Sequence, residues 1–292
     1  MRNFEYHAPP NLAEAIALLQ KYDGKAKILA GGTDLLIRIR DRAIHPQVVI
    51  DLKQIPQLYG IHYEQDKGLR LGPLTLIRDI ETSKIIREKF GVLSQAAETL
   101  GSVQVRNKAT VGGNLCNAAP SADMAPPLIG LDAEVKIAGR GKDKTLPLEA
   151  FFRGPGETAL GPDEILIEIS VPNMAPHSYG VYLKHGRRKA LDLAVVGVAS
   201  VLTMDSTLSK CEDIRIVLGA VAPTPMRAKK AEAVIRGNDL SDSVINEAAK
   251  IAAEECSRIS DVRGSEWYRR QVVEALVKRG INQALAMAGI KA

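Results

Sequence analysis

Two glycine-rich stretches carry the residue types that could hold an anion. One is Ala30-Gly31-Gly32-Thr33-Asp34-Leu35; the other opens Thr110-Val111-Gly112-Gly113-Asn114 and runs through Cys116 to Pro120-Ser121-Ala122-Asp123. Paired glycines let backbone amides approach phosphate oxygens without a Cβ in the way, and a strand that turns into a helix aims those amides at one point. Together they read as two clamps on one diphosphate. Neither is a standard nucleotide signature: the first lacks the third glycine of the dinucleotide fingerprint, and neither ends in Gly-Lys-Ser/Thr. Thr33 offers a hydroxyl and Asp34 a cap for the next helix. Asn114 offers both donor and acceptor, and Asp123 either bonds ribose hydroxyls or caps the helix after it. Taken alone, the first stretch is also consistent with a tight strand-to-helix turn and the second with a solvated connector, which its many small and apolar residues disfavour; two separate cradles suit an extended ligand.

A third stretch, Tyr182 to Ala199, sets four cations, Lys184, Arg187, Arg188 and Lys189, beside an apolar strand. A solvated turn is one reading. In the other, Lys184 lends charge to an electron-rich cofactor ring.

The elements that must position these residues follow from periodicity. After Asn11, Leu12, Ile16 and Leu19 recur at helical spacing until Asp23-Gly24, Lys25 to Leu29 reads as a buried strand, Asp34 to Arg40 as a short helix, and Gln47 to Leu52 as a strand. A second unit follows, with strands near Tyr59 to Tyr63 and Leu69 to Leu71, and helices from about Thr75 and over Gly91 to Leu100. The fourteen residues from Thr110 to Asp123 show no regular period and are expected to be a ligand-lining loop, followed by a helix over Met124 to Leu131. Strands at Ala133 to Ile137 and Glu164 to Val171 close the unit, and Pro172 to Pro176 reads as a linker. Beyond it, strands at Gly180 to Lys184, Ala194 to Met204 and Ile214 to Val221 precede helices over Arg227 to Arg236, Asp242 to Arg258 and Ser265 to Ala288. The order is α+β, with domains expected at 1–175 (subdomains about 1–55 and 56–175) and 176–292.

Composition narrows the function classes. A hydrophobic content of 46% over 292 residues is that of a folded chain with room for two domains. The net charge of +5 is spread rather than gathered into runs, so nucleic-acid binding is not indicated. No run of roughly 18 apolar residues occurs, so no membrane span is expected and a cytoplasmic address is the default. Cys116, Cys211 and Cys256 are too few and too scattered to ligate a metal or an iron–sulfur cluster, and the five histidines have no ligand spacing.

The Ala-Gly-Gly-Thr-Asp-Leu run, the Gln104-Val105-Arg106-Asn107-Lys108-Ala109-Thr110-Val111-Gly112-Gly113-Asn114 run, its Pro-Ser-Ala-Asp continuation and the segment from Lys184 to Asp192-Leu193-Ala194 stand in family order. The whole chain resembles the FAD-binding medium subunit of the molybdenum hydroxylases, the xanthine dehydrogenase and carbon monoxide dehydrogenase family. That resemblance implies a two-lobed FAD domain of the vanillyl-alcohol-oxidase (PCMH) type, then a small α+β domain of antiparallel strands and three helices. It implies that Ile28, Leu29, Ala30, Gly31, Gly32, Thr33, Asp34 and Leu35 line the FAD diphosphate on one side and Thr110, Val111, Gly112, Gly113 and Asn114 on the other. Asp123 would meet the ribose or adenine end, Leu100 and Leu166 would make apolar contacts, and Lys184 would lie near the isoalloxazine.

The function implied is electron transfer: non-covalent FAD takes electrons from the clusters of an iron–sulfur small subunit, served by a molybdopterin large subunit, and passes them to a terminal acceptor. A heterotrimer or its dimer is expected, and no residue of this chain is assigned as an acid–base catalyst. The alternatives are a stand-alone flavin oxidase or reductase of the same fold and an assembly subunit without flavin. Many such oxidases tether flavin through histidine or cysteine; Thr33 stands where a tethering histidine would be, and Cys116 reads as a packing residue. Members with an extra four-iron cluster are disfavoured by the cysteine count.

Overall fold

The computed structural model describes residues 3–188, 190–257 and 260–290; Lys189 and Arg258, named above, lie outside them. The first lobe comprises β1 (Glu5–His7), α1 (Leu12–Tyr22), β2 (Ala26–Leu29), α2 (Leu35–Arg40) and β3 (Val48–Asp51), its strands parallel in the order β1-β3-β2. Asn11 caps α1 by accepting the Glu14 amide at 2.9 Å, and Asp23 ends it in the left-handed region at φ 35°. All four residues of β3 are buried, which explains a strand that reads Val-Val-Ile-Asp rather than alternating.

The second lobe follows with β4 (Ile61–Glu64), β5 (Gly68–Leu71) and a helical run: α3 (Ile77–Thr82), α4 (Lys84–Lys89), α5 (Gly91–Thr99), α6 (Val103–Arg106), α7 (Val111–Asn117) and α8 (Ala125–Gly130). It closes with β6 (Glu134–Ala138), β7 (Lys144–Pro147), α9 (Leu148–Phe151), β8 (Phe152–Gly154), β9 (Glu157–Thr158) and β10 (Ile165–Val171). The last strand inserts between β5 and β6, giving an antiparallel sheet in the order β4-β5-β10-β6-β7. The expected loop over 110–123 is half helix. Thr110 accepts the Gly113 amide at 3.1 Å and starts α7, so a capping threonine outweighs the poor helix propensity of the two glycines.

The third unit is the expected antiparallel sheet with three helices. Strands β11 (Ser178–His185), β12 (Val196–Met204), β13 (Cys211–Gly219) and β14 (Met226–Arg227) lie in sequence order, followed by α10 (Lys229–Ile235), α11 (Asp242–Glu255) and α12 (Glu266–Met287). Every residue of β12 is buried, because the sheet is covered on both faces. The α position of Gly280 in α12 lies over Ser200, whose hydroxyl a Cβ there would meet at 2.9 Å. That of Gly130 in α8 lies over Val201 at 3.2 Å, so successive residues face opposite layers. Ala199, Val201 and Val217 accordingly belong to the core of the second lobe, while Val198, Leu202 and Ile216 belong to the core under the three helices. In β11 the same alternation turns Gly180, Tyr182 and Lys184 toward the second lobe.

Candidate functional site

A cleft of about 630 Å³ separates the two lobes and is edged by Leu191, Asp192 and Leu193 from the third unit. Fourteen of the seventeen residues expected at the site line it: Ile28, Ala30, Gly31, Gly32, Thr33, Asp34, Leu35, Leu100, Thr110, Gly112, Gly113, Asn114, Asp123 and Leu166. Leu29, Val111 and Lys184 do not. Leu29 packs with Ile39 and Val49 beneath the first loop, Val111 is fully buried in the second lobe's core, and Lys184 stands behind Asp123.

The two glycine stretches differ in what their amides do. Among the described residues none accepts a hydrogen bond from the amides of Gly31, Gly32, Thr33 or Asp34. Gly32 holds φ 80°, a left-handed conformation that glycine takes without strain. Gly31 lies so close to the second lobe that a Cβ would overlap the Lys108 carbonyl oxygen. On the opposite wall the amides from Val111 to Asn114 are all engaged: Val111 donates to the Thr75 carbonyl at 3.0 Å and Gly112 to Pro73 at 2.8 Å. Gly113 donates to the Thr110 hydroxyl at 3.1 Å and Asn114 to the Thr110 carbonyl at 3.0 Å. A Cβ on Gly112 would meet the Pro73 carbonyl oxygen at 2.7 Å. The expected second amide clamp is therefore a wall, and its first glycine serves helix packing.

Asp34 makes no cap bond to α2, contrary to expectation; its Oδ1 accepts from Asn117 Nδ2 at 3.2 Å, which ties the first loop to the end of α7. Burial raises its carboxyl above the ordinary range, against the opposing pull of Arg38. Asp123 does not cap α8 either. Its Oδ2 accepts from Lys184 Nζ at 2.8 Å and its Oδ1 from the Tyr182 hydroxyl at 3.0 Å, and the side chains of Asp123 and Lys184 are only 7% and 8% exposed. Burial pushes the Asp123 carboxyl up while Lys184 and Tyr182 hold it down. Because the two groups are paired, Asp123 and Lys184 cannot serve opposite ends of an extended ligand; they form one locus.

Three consecutive carbonyls fix the apolar wall beside that locus. Thr99 accepts from Lys184 Nζ at 3.0 Å, Leu100 from Arg106 Nη1 at 3.1 Å and Gly101 from the Leu191 amide at 3.0 Å. Arg106 is itself buried and anchored by Glu81 at 2.6 Å. Sequence reading missed Tyr182 and Asn117 as site residues. The spacing of Tyr182 two residues before Lys184 on a strand was the available signal, since it places both on one face. Cys116 also lines the cleft, its thiol pushed up to about 12 by burial, so it is a poor nucleophile at neutral pH. Among the described residues no group of three or more potential metal ligands occurs, and no helix is long and apolar enough to cross a membrane.

Two family models divide the chain between them: "FAD binding domain in molybdopterin dehydrogenase" matches residues 2–174, and "CO dehydrogenase flavoprotein C-terminal domain" matches residues 181–284. The chain belongs to the FAD-binding medium subunits of the molybdenum hydroxylases. Similar medium subunits include the carbon monoxide dehydrogenase medium chain of Hydrogenophaga pseudoflava, 34% identical over 283 residues that span 97% of each chain. The putative xanthine dehydrogenase FAD-binding subunit of Escherichia coli K12 is 31% identical over 287 residues, 98% of this chain and 97% of that one. In three dimensions, carbon monoxide dehydrogenase from Hydrogenophaga pseudoflava matches with a TM-score of 0.94 over 98% of each chain. Quinoline 2-oxidoreductase from Pseudomonas putida 86 matches at 0.91 and 28% identity, covering 98% of each chain. The residues of this medium subunit fit the family's cofactor: open amides for a diphosphate, a buried carboxylate to accept from hydroxyls, and apolar walls at Leu100 and Leu166.

Proposed function

We infer that this chain is the flavin-carrying electron-transfer subunit of a molybdenum hydroxylase, holding FAD non-covalently in the interlobe cleft. The observation that carries the reading is the row of amides from Gly31 to Asp34, without an acceptor among the described residues, on the lining of a cleft in a chain whose two halves both match the family. FAD, when bound, supplies chemistry that accepts electrons singly and releases them singly or in pairs. The chain's own residues bind, orient and shield. Gly31 to Asp34 would hold the diphosphate through backbone donors, and Gly112 to Asn114 would shape the facing wall. Asp123 would accept from cofactor hydroxyls, with Lys184 balancing its charge inside a buried pair. Leu100 and Leu166 would exclude water from the cofactor's apolar surface.

The electrons would come from an iron–sulfur small subunit that is served by a molybdopterin large subunit, in a heterotrimer or its dimer, and would leave to a terminal acceptor. Three scattered cysteines support placing the clusters on other chains, since each cluster needs about four ligands. All three are free thiols, which supports a reducing, cytoplasmic address. The test is to reconstitute the purified chain with FAD, record its absorption spectrum and identify the flavin released by acid. Stoichiometric free FAD is expected. Flavin that stays on the denatured chain would refute non-covalent binding; rapid turnover with oxygen in the absence of partners would favour a stand-alone oxidase; a folded chain that takes up no FAD would refute the reading.

A further inference from the structure

The C-terminal domain reaches the cleft through a residue pair that no family motif singled out. Tyr182 is 4% exposed and does not itself line the cleft, yet its hydroxyl donates to Asp123 Oδ1 at 3.0 Å. Its backbone is fixed as well, its amide donating to Gln95 Oε1 at 2.8 Å. The strand register pairs Tyr182 with Ala199 and Lys184 with Gly197, so Gly197 is the diagonal neighbour of Tyr182 on the same face. A Cβ at Gly197 would stand 2.7 Å from the Tyr182 hydroxyl, but 3.4 Å and 3.5 Å from the ring carbons behind it. The hydroxyl occupies the space that the absent side chain leaves.

We propose that Tyr182 and Gly197 act together as a positioning device for Asp123, and so set how tightly the cleft holds FAD. The inference rests on the reading that the cleft binds FAD. A carboxylate has two oxygens and about four acceptor sites, and a buried one must keep them satisfied. Lys184 takes one site on Oδ2 and Tyr182 one on Oδ1, from the side away from the cleft. This pins the plane of the carboxylate and leaves its remaining acceptor sites fixed toward hydroxyl groups of the cofactor. With Lys184 alone, the carboxylate can pivot about its single partner. The restraint is specific to the C-terminal sheet: Tyr182 comes from β11 and the gap that admits its hydroxyl from β12.

The test uses the full chain stripped of flavin and titrated with FAD by flavin fluorescence, with the urea unfolding midpoint of the flavin-free protein measured in parallel. Tyr182→Phe keeps the ring and removes one donor to a charged acceptor; FAD affinity is expected to fall about tenfold to a hundredfold. Gly197→Ala displaces the hydroxyl without deleting it and is expected to lose affinity to a similar degree. In the Tyr182→Phe background Gly197→Ala has no hydroxyl to displace, so the double variant is expected to match Tyr182→Phe alone. The proposal is overturned if Tyr182→Phe binds FAD as the parent does, or if Gly197→Ala exacts its full loss again in the double variant. It is also overturned if the fall in affinity is matched by an equal fall in flavin-free stability, which would mark a purely structural role. A parent chain that takes up no FAD refutes the functional reading itself.

Discussion

The two glycine pairs look alike in sequence and do opposite work. The four successive amides from Gly31 to Asp34, residues that line the cleft, find no acceptor among the described residues, whereas the run from Val111 to Asn114 uses every amide inside its own lobe. In the first, the missing Cβ of Gly31 lets one lobe touch the other at Lys108; in the second, the missing Cβ of Gly112 admits Pro73. A glycine pair therefore reports close approach without saying what approaches, and the fate of the neighbouring amides decides between an anion and another piece of chain.

Four substitutions sharpen or break this contrast. The largest effect is expected from Gly31→Ala, whose Cβ would overlap backbone rather than a mobile side chain: FAD retention after gel filtration should be abolished and stability should fall by about 3 kcal/mol in urea unfolding. Gly112→Ala should cost about 1–3 kcal/mol of stability by the same overpacking, while the folded fraction binds FAD with parental affinity. An affinity loss exceeding the stability loss would restore the second pair as a clamp. Thr110→Ala removes the cap of α7 and should cost about 1 kcal/mol, again read by urea unfolding.

The smallest effect concerns pH. Burial holds the Asp34 carboxyl above its ordinary value, so its protonation favours the folded chain; that contribution is present below the ordinary pKa and lost as pH rises through the folded value. Asp34→Asn should therefore raise the flavin-free melting temperature slightly at pH 7, with the gain vanishing as pH falls below about 4. A gain that persists in acid would show that the effect is not electrostatic.

Much of this was legible beforehand, and the exceptions have physical causes. The start and stop of α1 were written in Asn11 and Asp23-Gly24, and the apolar run of β12 announced a strand, though not that it would be buried on both faces. The cleft lining was legible because glycine and small polar residues cluster there by need. Helix α7 was hidden because two glycines erase helical periodicity, although Thr110 carried the cap. Asp34 and Asp123 were each allowed a capping role from their position ahead of a helix, yet tertiary partners, Asn117 for one and Tyr182 with Lys184 for the other, took their oxygens instead. Spacing could put Tyr182 on the face of Lys184, but its bond to Asp123 in the other lobe and the gap at Gly197 depend on tertiary packing and on the β11–β12 register, which sequence spacing alone does not fix.

The burial of β12 on both faces bears on how the chain can be cut. Its residues Ala199 and Val201, with Val217 of the next strand, complete the core of the preceding lobe, and Arg215 clasps Asp132 across the seam at 2.5 Å. Trimming the chain after residue 175 would strip the cover from α8 and remove Lys184 from its buried carboxylate in one stroke. The C-terminal portion is a structural keel for the cofactor lobe, so the two are expected to be inherited, expressed and unfolded as a single cooperative body.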